Sequence, residues 1–152
     1  MQIIGISRRL IRGRTRSVFY GMLDSVSSVE PSWATRNVQL LTVFAPLLLA
    51  AGVLGFVLPA RLSLMSGAPA YNVFHLLAGA LGLLFVVRRS VPAIIAFNLV
   101  FGAIDLWQAV AGVTGFFPAR LFALRPADHV LHVAFGLLLF GIGYLGKKSV
   151  SG

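Results

Sequence analysis

The chain has 152 residues, no cysteine, 58% hydrophobic residues and only 11% charged ones, with a net charge of +9 and a mean hydropathy of +0.90. A soluble domain carries about a quarter charged residues, so this composition is that of a membrane protein. The missing cysteines exclude disulfides, thiol catalysis and thiolate metal sites.

Residues 1–37 form a basic arm, with five arginines and no acid before Asp24. On a helical wheel Ile3, Ile4, Ile6, Leu10, Ile11 and Val18 lie opposite Arg8, Arg9, Arg12 and Arg16, while Arg14 interrupts the apolar face. Two readings stand side by side: an interfacial helix on an anionic leaflet, or a disordered basic tail that sets topology. Ser7-Arg8-Arg9-Leu10-Ile11 resembles a twin-arginine export signal, but Gly13-Arg14-Thr15-Arg16 follows where an apolar stretch is needed. Trp33 then marks the approach to a membrane, since indoles favour the headgroup level.

Beyond the arm, charges cut the chain into spans. There are 24 uncharged residues between Arg36 and Arg61, 26 between Arg61 and Arg88, 30 with only Asp105 between Arg89 and Arg120, and 18 between Asp128 and Lys147. About 20 apolar residues cross a bilayer as a helix, which predicts four transmembrane helices over 38–59, 71–87, 91–116 and 128–146. Barrel strands would alternate polar and apolar residues, and Leu40 to Leu58 does not. The expected fold is all-α: a four-helix transmembrane bundle over 38–148 made of two tandem hairpins.

The tandem reading rests on a repeat. Ala51-Gly52-Val53-Leu54-Gly55-Phe56, Pro59-Ala60-Arg61-Leu62 and Tyr71-Asn72-Val73-Phe74-His75 return as Ala111-Gly112-Val113-Thr114-Gly115-Phe116, Pro118-Ala119-Arg120-Leu121 and Asp128-His129-Val130-Leu131-His132. The offset is 60 at Gly52/Gly112, 59 at Pro59/Pro118 and 57 at His75/His132. The halves are about 38–87 and 91–146.

Ten of the thirteen basic residues lie in the arm, the Arg88-Arg89 link and the Lys147-Lys148 tail, against Arg61, Arg120 and Arg125 opposite. The positive-inside rule then expects both termini in the cytoplasm, in a bacterial inner membrane or a membrane derived from it. The same sidedness accounts for the charge without nucleic acid, for which no aromatic-interleaved basic motif is present.

The spans contain few polar residues. Asn72, His75, Gly79 and Gly82 share one face of the second helix, and His129, His132, Gly136 and Gly143 share a similar face of the fourth. A histidine with a glycine one turn on can ligate a haem or chlorophyll-type pigment, so His75 and His132 are candidate ligands. Small residues there also serve close helix packing. Asn72 and Asp128 fall where spans begin and are expected to cap helix amides. Asp105 is mid-span, on a face with Asn98, Gly102 and Ala109 and one turn from Gln108. An acid at that depth is a functional candidate by default, either as a proton relay or as a hydrogen-bond partner of His75, His132 or Gln108.

Asn72-Val73-Phe74-His75-Leu76-Leu77-Ala78-Gly79 and Asp128-His129-Val130-Leu131-His132 resemble the N/D-x-x-H-x-x-x-G pattern that opens the second and fourth helices in a family of small bacterial four-helix membrane proteins of unknown function. The resemblance covers about 40–148 and implies the fold and a membrane location, but no reaction. No G-x-S-x-G, P-loop or H-E-x-x-H is present, and Glu30 is the single glutamate. The expected function is therefore a non-enzymatic scaffold or accessory subunit held among lipids and other membrane subunits. The alternatives are a pigment-bearing electron-transfer subunit using His75 and His132, and a small proton-linked transporter or channel using Asp105.

Overall fold

A computed structural model describes residues 32–59 and 62–151. The reading of residues 1–31 as an interfacial helix or tail lies outside the described residues. Within them the chain is all-helical, with α1 over Trp33–Val57, α2 over Pro69–Val87, α3 over Val91–Thr114, a short α4 over Ala119–Phe122 and α5 over Pro126–Ser151. All but α4 are long and apolar enough to cross a bilayer, which makes this a multi-pass membrane protein.

Local signals account for the ends. Ser32 Oγ accepts the Thr35 amide at 3.2 Å and starts α1 five residues before the expected boundary. The Arg36 guanidinium lies 4.8 Å from the Trp33 ring, so this first turn keeps its charge at the interface. Proline occupies the first turn of α2, α3 and α5, where its missing N–H costs nothing. Gly115 ends α3 in the left-handed region at φ 74°, its N–H reaching Ala111 O at 2.8 Å.

α1 packs along α2 and α3 along α5, which makes two hairpins. α3 is the most enclosed helix, with half of its span buried against 28% in each of the others. Leu41, Phe44, Ala45 and Leu48 from α1 meet Ile94, Phe97 and Phe101 from α3 and Leu139 from α5 in one core. Phe44 and Phe101 touch edge to face at 5.7 Å where the hairpins join.

Apolar lipid gives helices little reason to associate, so close backbone approach carries much of the packing. A Cβ added at Gly79 would lie 2.8 Å from Leu49, and one at Gly136 would lie 2.9 Å from Leu106. Gly55 faces the Asn72 side chain as Gly112 faces the His129 ring. Each of these correspondences is offset by 57 residues. The sequence match pairs Gly112 with Gly52 at an offset of 60, yet the neighbour of Gly112 is the counterpart of what Gly55 meets. Packing therefore sets α1 and α3 three residues, nearly one turn, away from the register of the matching letters. Opposite Asp105 in that register stands Leu48.

At the end of the bundle bearing Trp33, the Asn37 side chain donates to Trp33 O and Ile142 O, both at 2.8 Å. Asn98 Nδ2 donates to Asn37 Oδ1 at 2.9 Å. Two buried amides thus tie α1, α3 and α5 together where no water would satisfy them.

Candidate functional site: a buried polar cluster at the far end of the bundle

The other end gathers most of the polar side chains. His75 lies six residues inside α2, His132 six inside α5 and Gln108 six from the end of α3, so all three sit about 9 Å along their helices. Asp105 is one turn deeper. All four are buried.

Asp128 is the most connected. Its carboxylate accepts the Arg125 amide at 2.7 Å, closing the first turn of its own helix, and the Ser66 amide at 3.0 Å from the opposite hairpin. Ser66 Oγ donates to Phe122 O at 2.5 Å and accepts the Ala68 amide at 3.1 Å. The Arg125 guanidinium donates to Ser63 O at 2.7 Å. These bonds join the α1–α2 connection to the segment that leads into α5. A carboxylate receiving several N–H donors is held more firmly than neutral pairs are.

Tyr71 links this junction to the histidines. Its hydroxyl lies 2.8 Å from His132 Nε2 and 3.4 Å from Asp128 Oδ1. The single hydroxyl proton serves one of them: Tyr71 either donates to His132, or accepts from a protonated Nε2 and donates to Asp128. The Tyr71 ring also lies 4.2 Å from the His75 ring and 5.9 Å from that of His132. Phe122 covers it at 5.3 Å.

The candidate ligands thus come together, but around a phenol. The Tyr71 ring packs against both imidazoles, and Nε2 of His132 is taken by its hydroxyl. His75 borders a cavity of about 250 Å3 with Ser63, Ser66 and Tyr71, smaller than the roughly 300–1,000 Å3 of ordinary small-molecule sites. A bis-histidine tetrapyrrole does not fit this arrangement. Among the described residues there is also no cluster of three histidine or acidic side chains that could hold a metal ion.

The other expected roles divide. Asn72 does not cap α2, whose start has no side-chain cap; proline opens that helix instead. Its Nδ2 donates to Gly67 O at 3.2 Å and its side chain fills the space left by Gly55. His129 fits against Gly112, with Nδ1 buried and unbonded. Asp105 has no hydrogen bond to His75, His132 or Gln108, although it lies within electrostatic range of Tyr71. Both polar atoms of the Gln108 amide and Nδ1 of His132 are buried without partners.

Tyr71, Ser66 and Arg125 did not stand out in the sequence. Tyr71 lies one turn before His75 on the same face, which was the available signal. No family model, curated protein or solved structure matches the chain.

Proposed function

We propose that this protein is a non-enzymatic accessory or scaffold subunit, built from a duplicated helical hairpin and held in a bacterial inner membrane with both termini in the cytoplasm. The observation that carries this reading is the use made of Asp128, which receives amides from both hairpins and leaves Tyr71 and His132 bonded to each other. Asp128, Tyr71 and one nitrogen of His132, on which chemistry at this end would draw, are engaged in fastening the fold. The charge asymmetry supports the orientation, and the 57-residue offset shared by Leu49/Leu106 and Gly79/Gly136 supports the duplication. The likeness to small four-helix membrane proteins rests on its two histidine-bearing helix starts.

A photo-crosslinking residue at Val43 on α1 or Leu137 on α5, both exposed, tests the role in native membranes. A discrete protein adduct at one of these faces is expected. Adducts with lipid alone at both would overturn the subunit reading.

A second reading, proton-linked transport through Asp105, draws on one observation: Asp105 and Gln108 are buried one turn apart, the Gln108 amide is without partners, and among the described residues no group hydrogen-bonds the Asp105 carboxyl. A proton carrier needs such freedom to exchange partners. Proton uptake by proteoliposomes that is lost in Asp105→Asn would favour it over the subunit role.

A further inference from the structure

Only Arg88-Arg89-Ser90 joins α2 to α3, yet these two helices meet loosely, and a groove of about 510 Å3 runs between them. Its floor is a file of phenylalanine rings. Phe74 stacks on Phe101 at 5.7 Å, Phe101 on Phe97 at 5.3 Å, and Phe97 meets Phe85 edge-on at 6.3 Å. Leu77, Leu81, Ala96 and Val100 form exposed rims. The lining runs from Phe74 to Phe85 on α2 and from Ala93 to Ile104 on α3, about 16 Å on each helix. One leaflet of a hydrocarbon core about 30 Å thick has that depth.

The groove ends in charge. Phe74, Leu77, Leu81, Phe85 and Arg88 follow steps of three and four residues, so the α2 stripe that lines the groove leads to Arg88, with Arg89 beside it. Both arginines are exposed, and neither guanidinium has a hydrogen-bond or ion-pair partner among the described residues. The same short link leaves the start of α3 without a side-chain cap, which adds positive potential at this mouth.

We propose that the α2–α3 groove binds an anionic phospholipid from the leaflet on the Arg88–Arg89 side, with one acyl chain on the phenylalanine floor and the phosphate between the two guanidiniums. The acyl chain matches an apolar slot one leaflet deep, and the phosphate answers two unpaired cations at its end. A polyprenyl chain would overrun the slot. A zwitterionic lipid would bring its own cation to the arginines.

Native mass spectrometry of the full chain in detergent, titrated with dioleoyl phosphatidylglycerol or dioleoyl phosphatidylcholine, tests this. The parent should retain one phosphatidylglycerol in preference to phosphatidylcholine. Arg88→Gln with Arg89→Gln should cut that preference about thirty-fold at low salt, the factor expected for two arginines near a charged headgroup. Ala96→Trp should weaken both lipids by obstructing the slot, and the milder Ala96→Leu, at an exposed position, should do so in part if the tryptophan variant misfolds. Three results would overturn the proposal: no preference in the parent, an unchanged preference in the double glutamine variant, or unaltered binding in the Ala96 variants of a folded protein. A second copy or a partner chain retained in place of lipid, and displaced by the Ala96 substitutions, would overturn it as well.

Discussion

Tyr71 of the first hairpin and His132 of the second meet at 2.8 Å with both side chains buried. α2 and α5, which carry them, make no close backbone approach. Their helices therefore communicate through these side chains and through Asp128, which lies one turn before His132 on the same face. Tyr71→Phe keeps the ring contacts with His75 and Phe122 and removes only the hydroxyl. It should cost about 1–3 kcal/mol, since His132 is left with neither nitrogen bonded within the protein. Thermal unfolding in detergent measures it, and a melting temperature equal to the parent's would mean that the bond adds no stability.

Asp128→Ala should be more damaging. It strands the buried Ser66 amide and the Arg125 amide together and removes the charge from the first turn of α5. Limited proteolysis should find the 62–68 connection more accessible in this variant, while Tyr71→Phe leaves cleavage there nearly unchanged. Equal protection in the two variants would argue against Asp128 as the fastening group.

Much of this architecture was legible in the sequence because charge is so costly in hydrocarbon. The uncharged intervals marked four spans, and six of the eight helix ends lie within two residues of the expected places. Two kinds of information were hidden. The charge at Arg36 suggested a boundary near residue 38, whereas α1 starts at Trp33: the Asn37 amide is satisfied by carbonyls of two helices, and a sequence does not display that pairing. The other hidden quantity was register. Matching letters placed Ala45 opposite Asp105, but steric fit between glycines and their facing residues places Leu48 there, and local sequence identity carries no record of which turn meets which. Tyr71 escaped notice for a related reason. Its counterpart at an offset of 57 is Asp128, and the two different residues meet across the hairpins to make one junction.

Glycine substitutions test the packing register directly. An alanine Cβ at Gly102 would lie 2.4 Å from Phe140 N and 2.9 Å from Gly136 O, both backbone atoms, so α5 would have to move to admit it. Gly141 has nothing within 4 Å. Gly102→Ala should lower the melting temperature clearly, whereas Gly141→Ala should leave it unchanged or raise it, because alanine is favoured over glycine in a helix by up to about 1 kcal/mol. Similar responses at both positions would mean that α3 and α5 do not approach as described.

Orientation can be checked because the chain has no cysteine. Leu64 and Phe117 are strongly exposed in the connections at the polar-cluster end, and Lys148 is exposed at the other. Single cysteines at Leu64 and Phe117 should react with an impermeant thiol reagent added to intact cells, and one at Lys148 should react only after lysis. The reverse pattern would invert the proposed topology and put the Arg88–Arg89 mouth outside.

Asp105 gives the most discriminating test, because its surroundings oppose its chemistry. It is buried, no group among the described residues hydrogen-bonds it, the Gln108 amide one turn away is without partners, and the equivalent position in the other hairpin's packing register is Leu48. A buried acid that no neighbour satisfies costs stability, and replacing it with an apolar side chain of similar size removes that cost. Asp105→Leu should therefore be at least as stable as the parent in detergent, with Asp105→Asn near the parent. Such a result would leave fold stability as no reason for the acid to be there, and would direct attention to activities that need an ionisable group in mid-membrane. A fall of several degrees in Asp105→Leu would instead reveal a donor that the carboxyl needs in the native membrane protein, and Gln108→Leu, tested alongside, would then fall with it if that donor is the neighbouring amide.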